Sequence, residues 1–525
     1  MREFNITGLC MPAEDYMVDI SDKLKKIAEL VKYRQYFVIN RARQYGKTTT
    51  LAALERMIKD EYIVVSISFE GLGDESFATS ETFCKKFMRL ICRALEFSNV
   101  PEAYRENWLN ETVTDFTDLD FHITRMCEGQ KVVLLIDEVD KTCNNRMFLH
   151  FLSMLRSKYL SRKAGKDSTF HSVILAGVYD IKNIKLKIIN EGGYSPLATE
   201  GVIYNSPWNI ASEFSVDMSF SAREIESMLN DYQNESKTCM DVANIAFEIH
   251  KYTDGYPFLV SYLCKIIDEE LGGNWSENGV KKAVNIAVLK KCTLLDDLTK
   301  NLENHKNLYD TLYSVLIVGE TKSYVTSNPV IEWGEMFGYI KNDGGNRVVI
   351  SNKIFEIFIS DYFISKDSIS IGNNKAINGV LRRDIVENGK FNMELCLRKF
   401  ADHYLEILTE EDKPFLERHG RLLFLSYIKP LINGQGFYHI ESQFTDLRRM
   451  DIVVDFGSDQ FIVELKLWKG EIRKGKAYKQ LLDYMDTKNA DKGYLLTFDF
   501  RKEVNRKRKN EWVRIGDKMI FEVII

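Results

Sequence analysis

The feature that most constrains this chain is a series of short, almost unbroken apolar runs before residue 180. They are Tyr36–Asn40 (YFVIN), Tyr62–Phe69 (YIVVSISF), Val132–Asp137 (VVLLID) and Ser172–Gly177 (SVILAG), each followed by a longer helical pattern. A strand with one solvated face alternates apolar and polar side chains, whereas a strand apolar throughout is covered on both faces. Such strands alternating with helices predict an α/β fold with a parallel sheet between two helical layers. The 525 residues, 45% of them hydrophobic, are enough for several cores. With only 30 glycines and 8 prolines, the chain is neither fibrous nor linker-rich.

Lysine plus arginine number 71 and aspartate plus glutamate 76, a net charge of −5. This mild acidity leaves nucleic acid open as a partner, because a basic groove can lie in one domain of a balanced chain. The 9 cysteines are scattered and form no CxxC pair, which excludes a disulfide framework or thiolate zinc site and fits a reducing cytoplasm. The opening MREFNITGLCMPAEDYM carries acids and lacks a long apolar core, so it does not read as a signal peptide. No apolar run nears the ~18 residues of a membrane span. The expectation is a cytoplasmic protein with no membrane partner.

The first run leads into RARQYGKTTTLAALERMI. Gly46-Lys47-Thr48 between a buried strand and a helix has the layout of a phosphate-binding loop: backbone N–H groups and the helix N-terminus hold phosphates, Lys47 neutralises them, and the Thr48 hydroxyl reaches Mg²⁺. The pattern GxxxxGK[ST] wants glycine where Arg41 stands. About 90 residues later the run VVLLIDEVDK ends abruptly in acids, with Asp137 placed for Mg²⁺ and Glu138 for polarising the attacking water. A chance GKT, or acids capping a strand at water, is the bland reading of either piece; their conjunction predicts binding and hydrolysis of ATP. Asp140 and Lys141 read as solvated.

Residues 5–300 resemble the AAA-like ATPases of the STAND/archaeal-ATPase group within the P-loop NTPases. The resemblance rests on GLCMPAEDYMVD, RARQYGKTT, LLIDEVD, SPWNIASEF (Ser206–Phe214) and DGYPFLVSYLC (Asp254–Cys264). It implies that a loop reading RQxGKT without the first glycine is a family feature, which makes Arg41, Gln44, Gly46, Lys47, Thr48, Thr49 and Asp137 the nucleotide-binding set. It also implies that Pro257 lies near the nucleotide; a purely structural role in the first turn of a helix suits Pro257 equally well. Arg156, Arg162 and Arg223 are the candidates for a sensor or arginine finger.

Near the C-terminus, Met450–Asp455 (MDIVVD) and Phe461–Trp468 (FIVELKLW) read as two strands joined at Gly457-Ser458-Asp459. Alternation puts Glu464 and Lys466 on one face, and a hairpin would bring Asp451 to Glu464 around one divalent cation. Two carboxylates suit a hard cation such as Mg²⁺, which polarises a phosphodiester and acidifies water, and a lysine can stabilise the developing charge. A solvated hairpin is the bland reading. The spacing D-(x)12-E-x-K matches the PD-(D/E)xK nucleases, and Lys413–Lys502 resembles the nuclease-like domain found behind AAA-like ATPases. The match runs through ERHGRLLFLSYIKPLINGQG, RRMDIVVD, FIVELKLWKGE, YKQLLDYMD and GYLLTFDF. It implies Glu417 as a further metal ligand and Gln480, with Tyr484 one turn on, as the trailing-helix motif. Arg448 and Arg449 could steer a phosphate. The positive excess of Lys466, Lys469, Arg473, Lys474, Lys476, Lys479 and Arg501–Lys509 reads equally as a polyanion track or a solvated helix face.

Helical patterns between Ser221 and about Lys300, then helices and the GYIKNDGGNRVVIS hairpin, suggest a lid and a winged helix. The expected organisation is an ATPase core at 1–216, a helical lid at 217–303, a winged helix at 304–364, a polar linker at 365–379 and an α/β PD-(D/E)xK nuclease-like domain at 380–525. The expected function is an ATP-controlled, Mg²⁺-dependent nuclease cutting DNA, with defence against foreign DNA and homo-oligomer assembly implied by the STAND-like resemblance. The alternative is a signalling ATPase whose C-terminal domain binds nucleic acid or a partner without cleavage.

Overall fold

The computed structural model describes residues 2–98, 100–109, 113–142, 146–178, 208–290, 292–318, 320–370, 385–387, 389–407, 417–432, 435–442, 450–457, 459–467, 471–499 and 509–525. They form two compact units. The first comprises Met1–Thr238, Gly255–Ser261 and Met336–Gly338, and the second Cys239–Asp254, Tyr262–Glu335 and Tyr339–Ile525.

In the first unit, strands β1 (Tyr36–Asn40), β2 (Ile63–Ser68), β3 (Val132–Asp137) and β4 (Ser172–Gly177) form a parallel sheet of order β1-β4-β3-β2. A single parallel bridge, Phe37↔Ser212, adds a fifth position outside β1. Successive residues of each strand go to opposite cores. Tyr36, Val38, Leu134, Ile136 and Leu175 join one cluster, and Phe37, Ile39, Val133, Leu135 and Ile174 the other. That division is the physical reason these strands carry no polar alternation. The first helix, Ser21–Lys32, buries Leu24, Ile27 and Val31, one apolar stripe at helical spacing. The helix Ala222–Ser236 opens with a capping box, in which the Ser221 side chain accepts from the Glu224 N–H and the Glu224 carboxylate accepts from the Ser221 N–H.

The second unit contains the helices Val242–Thr253, Glu277–Leu289 and Lys353–Ser370, and a short hairpin of β5 (Ile340–Asn342) and β6 (Val348–Ile350) paired Ile340↔Ile350. A smaller ribbon of β7 (Val386–Glu387) and β8 (Lys390–Phe391) follows. The C-terminal sheet has β9 (Gly436–Ser442), β10 (Met450–Phe456), β11 (Asp459–Leu467), β12 (Lys492–Phe498), β13 (Lys509–Ile515) and β14 (Lys518–Ile524), in the order β13-β14-β12-β11-β10-β9. β9, β10 and β11 are antiparallel neighbours, whereas β11, β12 and β14 run parallel. The helix Glu471–Thr487 is the crossover that parallel pairing of β11 and β12 requires.

The expected linker needs correction. Residues 365–370 continue the helix Lys353–Ser370, and 371–384 lie outside the described residues. That helix buries Ile354, Phe355, Ile359 and Phe363 and packs on β9 and on the helix Glu417–Ile432. Its Asp361 accepts a hydrogen bond from Tyr438 Oη at 2.8 Å and pairs with Lys429 at 3.1 Å. Arg421, 3% exposed, donates to the Ile317 carbonyl at 2.7 Å. The segments before and after residue 365 are therefore packed together and not merely tethered. No helix among the described residues is long and apolar enough to cross a membrane.

Candidate functional site

In the first unit, β1 ends at Asn40 and the chain enters the helix Lys47–Ile58 through a loop that is left-handed at Gln44 (φ 56°) and Gly46 (φ 73°). Gly46 caps the helix, and its lack of a Cβ makes that turn inexpensive. The buried Lys47 ammonium donates to the Arg41 carbonyl at 3.0 Å and the Ala42 carbonyl at 2.9 Å, and burial lowers its pKa. Thr48 Oγ1 donates to Asp137 Oδ2 at 2.6 Å, tying the loop to the end of β3. Asp137 Oδ1 accepts from the Glu138 N–H at 2.9 Å.

Glu138 itself is left-handed, at φ 53°, a conformation that costs a residue with a Cβ roughly 1–3 kcal/mol. Burial raises its pKa, with the charges of Asp137 and Asp140 adding to the effect. Lys47, Thr48, Asp137 and Glu138 thus converge where the sequence places them. Two other members of the predicted set serve the fold. The Arg41 guanidinium donates to Asn40 and Val216 carbonyls at 2.8 and 2.9 Å and lies over Phe214, 5.2 Å from the ring centroid. Thr49 Oγ1 accepts from the Cys10 N–H at 3.3 Å, anchoring the N-terminal segment to the loop helix.

Asp140 corrects another expectation. It is not solvated: its carboxylate accepts from the Val178 N–H at 2.6 Å, just beyond β4, and a Cβ on Gly177 would come within 2.6 Å of Asp140 Oδ1. The Gly-Tyr-Pro segment does reach the loop. Tyr256 Oη donates to the Arg43 carbonyl at 2.5 Å, its ring meets Tyr45 edge-on at 4.6 Å, and a Cβ on Gly46 would lie 3.9 Å from Pro257 Cβ. Gly338 (φ 74°) is a contact the sequence did not announce, since a Cβ there would sit 2.9 Å from Ala42 Cβ. Of the candidate fingers, Arg162 is spent on the Phe170, His171 and Arg34 carbonyls, at the opposite end of the parallel strands from the phosphate loop.

In the second unit, the ribbon forms as expected. The register of β10 with β11 runs Ile452↔Val463 to Phe456↔Asp459, so continuing it by one pair sets position 451 across from Glu464. Asp451 also pairs with Glu441 on β9. Glu464 is fully buried in mid-strand, and Lys466, two residues on, places its ammonium on Glu464 Oε1. The two share a face because side chains two apart in a strand point the same way. The helix Glu471–Thr487 covers this sheet through Ala477, Leu481, Tyr484 and Met485, which pack with Val453, Ile462 and Leu495. On it Gln480 is 7% exposed, and its Oε1 has no hydrogen-bond partner among the described residues. A buried carbonyl oxygen left in that condition costs about 1–3 kcal/mol and is suited to an incoming donor or cation.

The backbones of Glu417 and Asp451 are the first residue of a helix and a member of β10; their side chains, with those of Arg473 and Lys474, are outside the described residues, as are Arg448, Arg449 and Lys469 entirely. Among the described residues no group of three or more His, Cys, Asp or Glu is placed to hold a metal. The donor set around Glu464, carboxylate and amide oxygens, is of the hard type a divalent cation takes. Glu522, fully buried on β14 and paired with Lys509 at 3.0 Å, is absent from the predicted set, although Gly516-Asp517 between two β-rich runs is a hairpin signal that could have found its strand.

Comparison with known proteins finds one family on each site, the first of them extending beyond the first unit into the second. The AAA-like domain family matches residues 16–361, and the PD-(D/E)XK nuclease superfamily matches residues 437–509. An AAA-like ATPase domain and a nuclease-superfamily domain therefore occupy one chain. Among solved structures, a Walker-type ATPase of Pyrococcus abyssi is similar at 13% identity and a TM-score of 0.47, over 68% of this chain and 99% of its own. The ORC2 protein of Aeropyrum pernix, in ADPNP–ADP complexes, is similar at 13% identity and a TM-score of 0.38, over 70% and 98%. No curated protein matches the chain.

Proposed function

The chain belongs to the AAA-like domain family, and from that premise we propose that it is an ATP-driven switch controlling a Mg²⁺-dependent nuclease that cuts DNA. In the first site, the loop around Gln44 and Gly46 and the N-terminus of the helix Lys47–Ile58 take the ATP phosphates. Lys47 exchanges its two loop carbonyls for phosphate oxygens, a stronger contact because both partners are then charged. Arg41 and Thr49 shape the loop from behind. Thr48 and Asp137 hold Mg²⁺, and Glu138 orients the attacking water and accepts its proton.

In the second site, Asp451 and Glu464, with Glu417, hold Mg²⁺, Lys466 stabilises negative charge on the phosphate, and Gln480 fixes the substrate side. The cation supplies phosphate polarisation and a more acidic water in each site. The observation that carries the cleavage reading is the fully buried Glu464 carboxylate, across the ribbon from position 451 and neutralised by the lysine two residues on. A carboxylate at zero exposure needs a compensating partner, which Lys466 supplies here as Lys509 does for Glu522; what sets Glu464 apart is position 451 opposite it and Lys466 two residues on, the D-(x)12-E-x-K spacing.

The same ion pair favours a second reading, in which Lys466 keeps the site closed and the domain binds nucleic acid or a partner without cutting. One assay separates them: plasmid and single-stranded DNA incubated with Mg²⁺ or Mn²⁺, with and without ATP, using the parent chain, Asp451→Ala and Lys466→Ala. Cleavage by the parent alone supports the enzyme; equal activity in all three sinks the assignment. Assembly into a homo-oligomer in the cytoplasm and defence against foreign DNA extend the proposal through the STAND-like resemblance, and sedimentation with and without ATP tests the assembly.

A further inference from the structure

Control requires a mechanical path, and the second unit holds a candidate in its own architecture. The helix Glu277–Leu289 packs on the helix Val242–Thr253, and Tyr252 of the latter meets Phe437 of β9 edge-on at 6.0 Å. Three residues beyond that helix, in sequence, comes the Tyr256 whose hydroxyl holds the phosphate loop at Arg43. Chain connectivity thus runs from the nucleotide loop into this helix pair.

Against the C-terminal sheet, the surroundings of β9 are uneven. On the side of the helix Lys353–Ser370 the contact is tight, with Asp361 engaged by both Tyr438 and Lys429. On the side of the helix Glu277–Leu289 a cleft of about 450 Å³ stands open, with Asn278, Lys281 and Asn285 on its helical wall and Gly436, Asp455 and Gly457 on the wall of the sheet. Lys281 Nζ and Asp455 Oδ1 face each other across it at 4.0 Å, the outer limit of an ion pair. Asp455 is 3% exposed and also accepts from Gln460 Nε2 at 2.9 Å, directly across the β10–β11 ribbon.

We propose that this cleft is a nucleotide-driven latch, in which closure of the helix Glu277–Leu289 onto β10 seats Lys281 on Asp455 and thereby sets the position of Asp451. The force is transmitted along one strand: Asp455 and Asp451 are four residues apart in β10, where Asp455 is paired with Phe437 of β9 and Gln460 of β11, and Asp451 with Glu441 of β9. A shift at one end cannot be absorbed by a loop before reaching the other. Lys281 is a positioning residue and touches no substrate. The inference rests on the reading of the chain as an ATP-controlled nuclease, and it names the contact through which control passes.

The test uses the full chain and three variants, Lys281→Glu, Asp455→Lys and the double charge exchange. Hydrogen exchange of β9 and β10 amides is measured without nucleotide and with a non-hydrolysable ATP analogue; DNA cleavage with and without ATP is measured alongside. The parent is expected to show slower exchange in β10 with the analogue, by roughly threefold or more. Lys281→Glu is expected to lose that difference while hydrolysing ATP at the parent rate, and the charge exchange to restore it. Unchanged β10 exchange in the parent, or a Lys281→Glu chain responding as the parent does, overturns the latch. Because the exchange readout needs no cleavage, a parent that responds but does not cut DNA rejects the nuclease reading and leaves the latch standing.

Discussion

The two sites handle charge in opposite ways. At the nucleotide site the chemistry lies at strand ends and in a loop, and the backbone carries the cost: Gln44 and Glu138, both with a Cβ, have left-handed φ values of 56° and 53°. At the C-terminal site Glu464 and Lys466 sit inside a regular strand whose backbone is unremarkable, and the cost is a carboxylate removed from water. A strained loop gains from a ligand that holds it, so the first site should respond to nucleotide. A desolvated carboxylate gains from any cation, so the second should respond to whatever positive charge replaces Lys466. The contrast implies different weaknesses under mutation.

The largest effect is expected at Lys466. Lys466→Ala leaves Glu464 buried without its ammonium, which costs about 3–5 kcal/mol when one partner of a buried pair is removed. Thermal unfolding of the C-terminal sheet should fall accordingly, DNA cleavage should be lost, and millimolar Mg²⁺ or Mn²⁺ should restore more stability to the variant than to the parent. Equal cation responses would erase the distinction between the sites. At the nucleotide site, Lys47→Ala should weaken ATP binding by about 100-fold or more, since it deletes charge-assisted contacts to phosphate. It should change the melting temperature far less than Lys466→Ala does, because the partners it leaves are two loop carbonyls and not a buried ion. Titration calorimetry and melting curves decide both points. Glu138→Gln, a smaller change in binding, should retain ATP affinity while slowing hydrolysis by about 100-fold or more, the contribution of a positioned base.

The same contrast explains what the sequence could and could not convey. β1, β3 and β4 were legible to the residue because doubly buried strands write themselves as unbroken apolar runs. The β10–β11 ribbon was legible because Glu464 and Lys466 obey strand periodicity and a glycine marks the turn. Asp140 reads as solvated in sequence since its partner, the Val178 N–H, is 38 residues away, and no local pattern distinguishes a carboxylate that ties two strand ends from one in water. The segment 365–379 reads as a linker because it is small, polar and non-periodic, yet tertiary packing of Asp361 and Phe363 just upstream carries the helix on to Ser370. The close approach of Gly338 to Ala42 was invisible for a similar reason, being a contact between positions nearly three hundred residues apart.

Asp140 also yields the smallest and most discriminating effect. Glu138 has its pKa raised by burial first and by Asp137 and Asp140 after that, so its carboxylate gains a proton at a higher pH than an ordinary glutamate at 4.5. If Glu138 must be ionised to accept the proton of water, the acid limb of ATP hydrolysis lies above pH 4.5 and activity is lost as the pH falls through it. Asp140→Asn removes one repelling charge while its amide oxygen can still accept from the Val178 N–H. The limb should therefore move to lower pH, with the plateau rate and ATP affinity little changed. Nothing comparable is expected at the C-terminal site, where an ammonium already sits on the carboxylate. An acid limb that stays in place in Asp140→Asn would mean that another group, not Glu138, limits hydrolysis, and the parallel between strained backbone and tuned acid would fail with it.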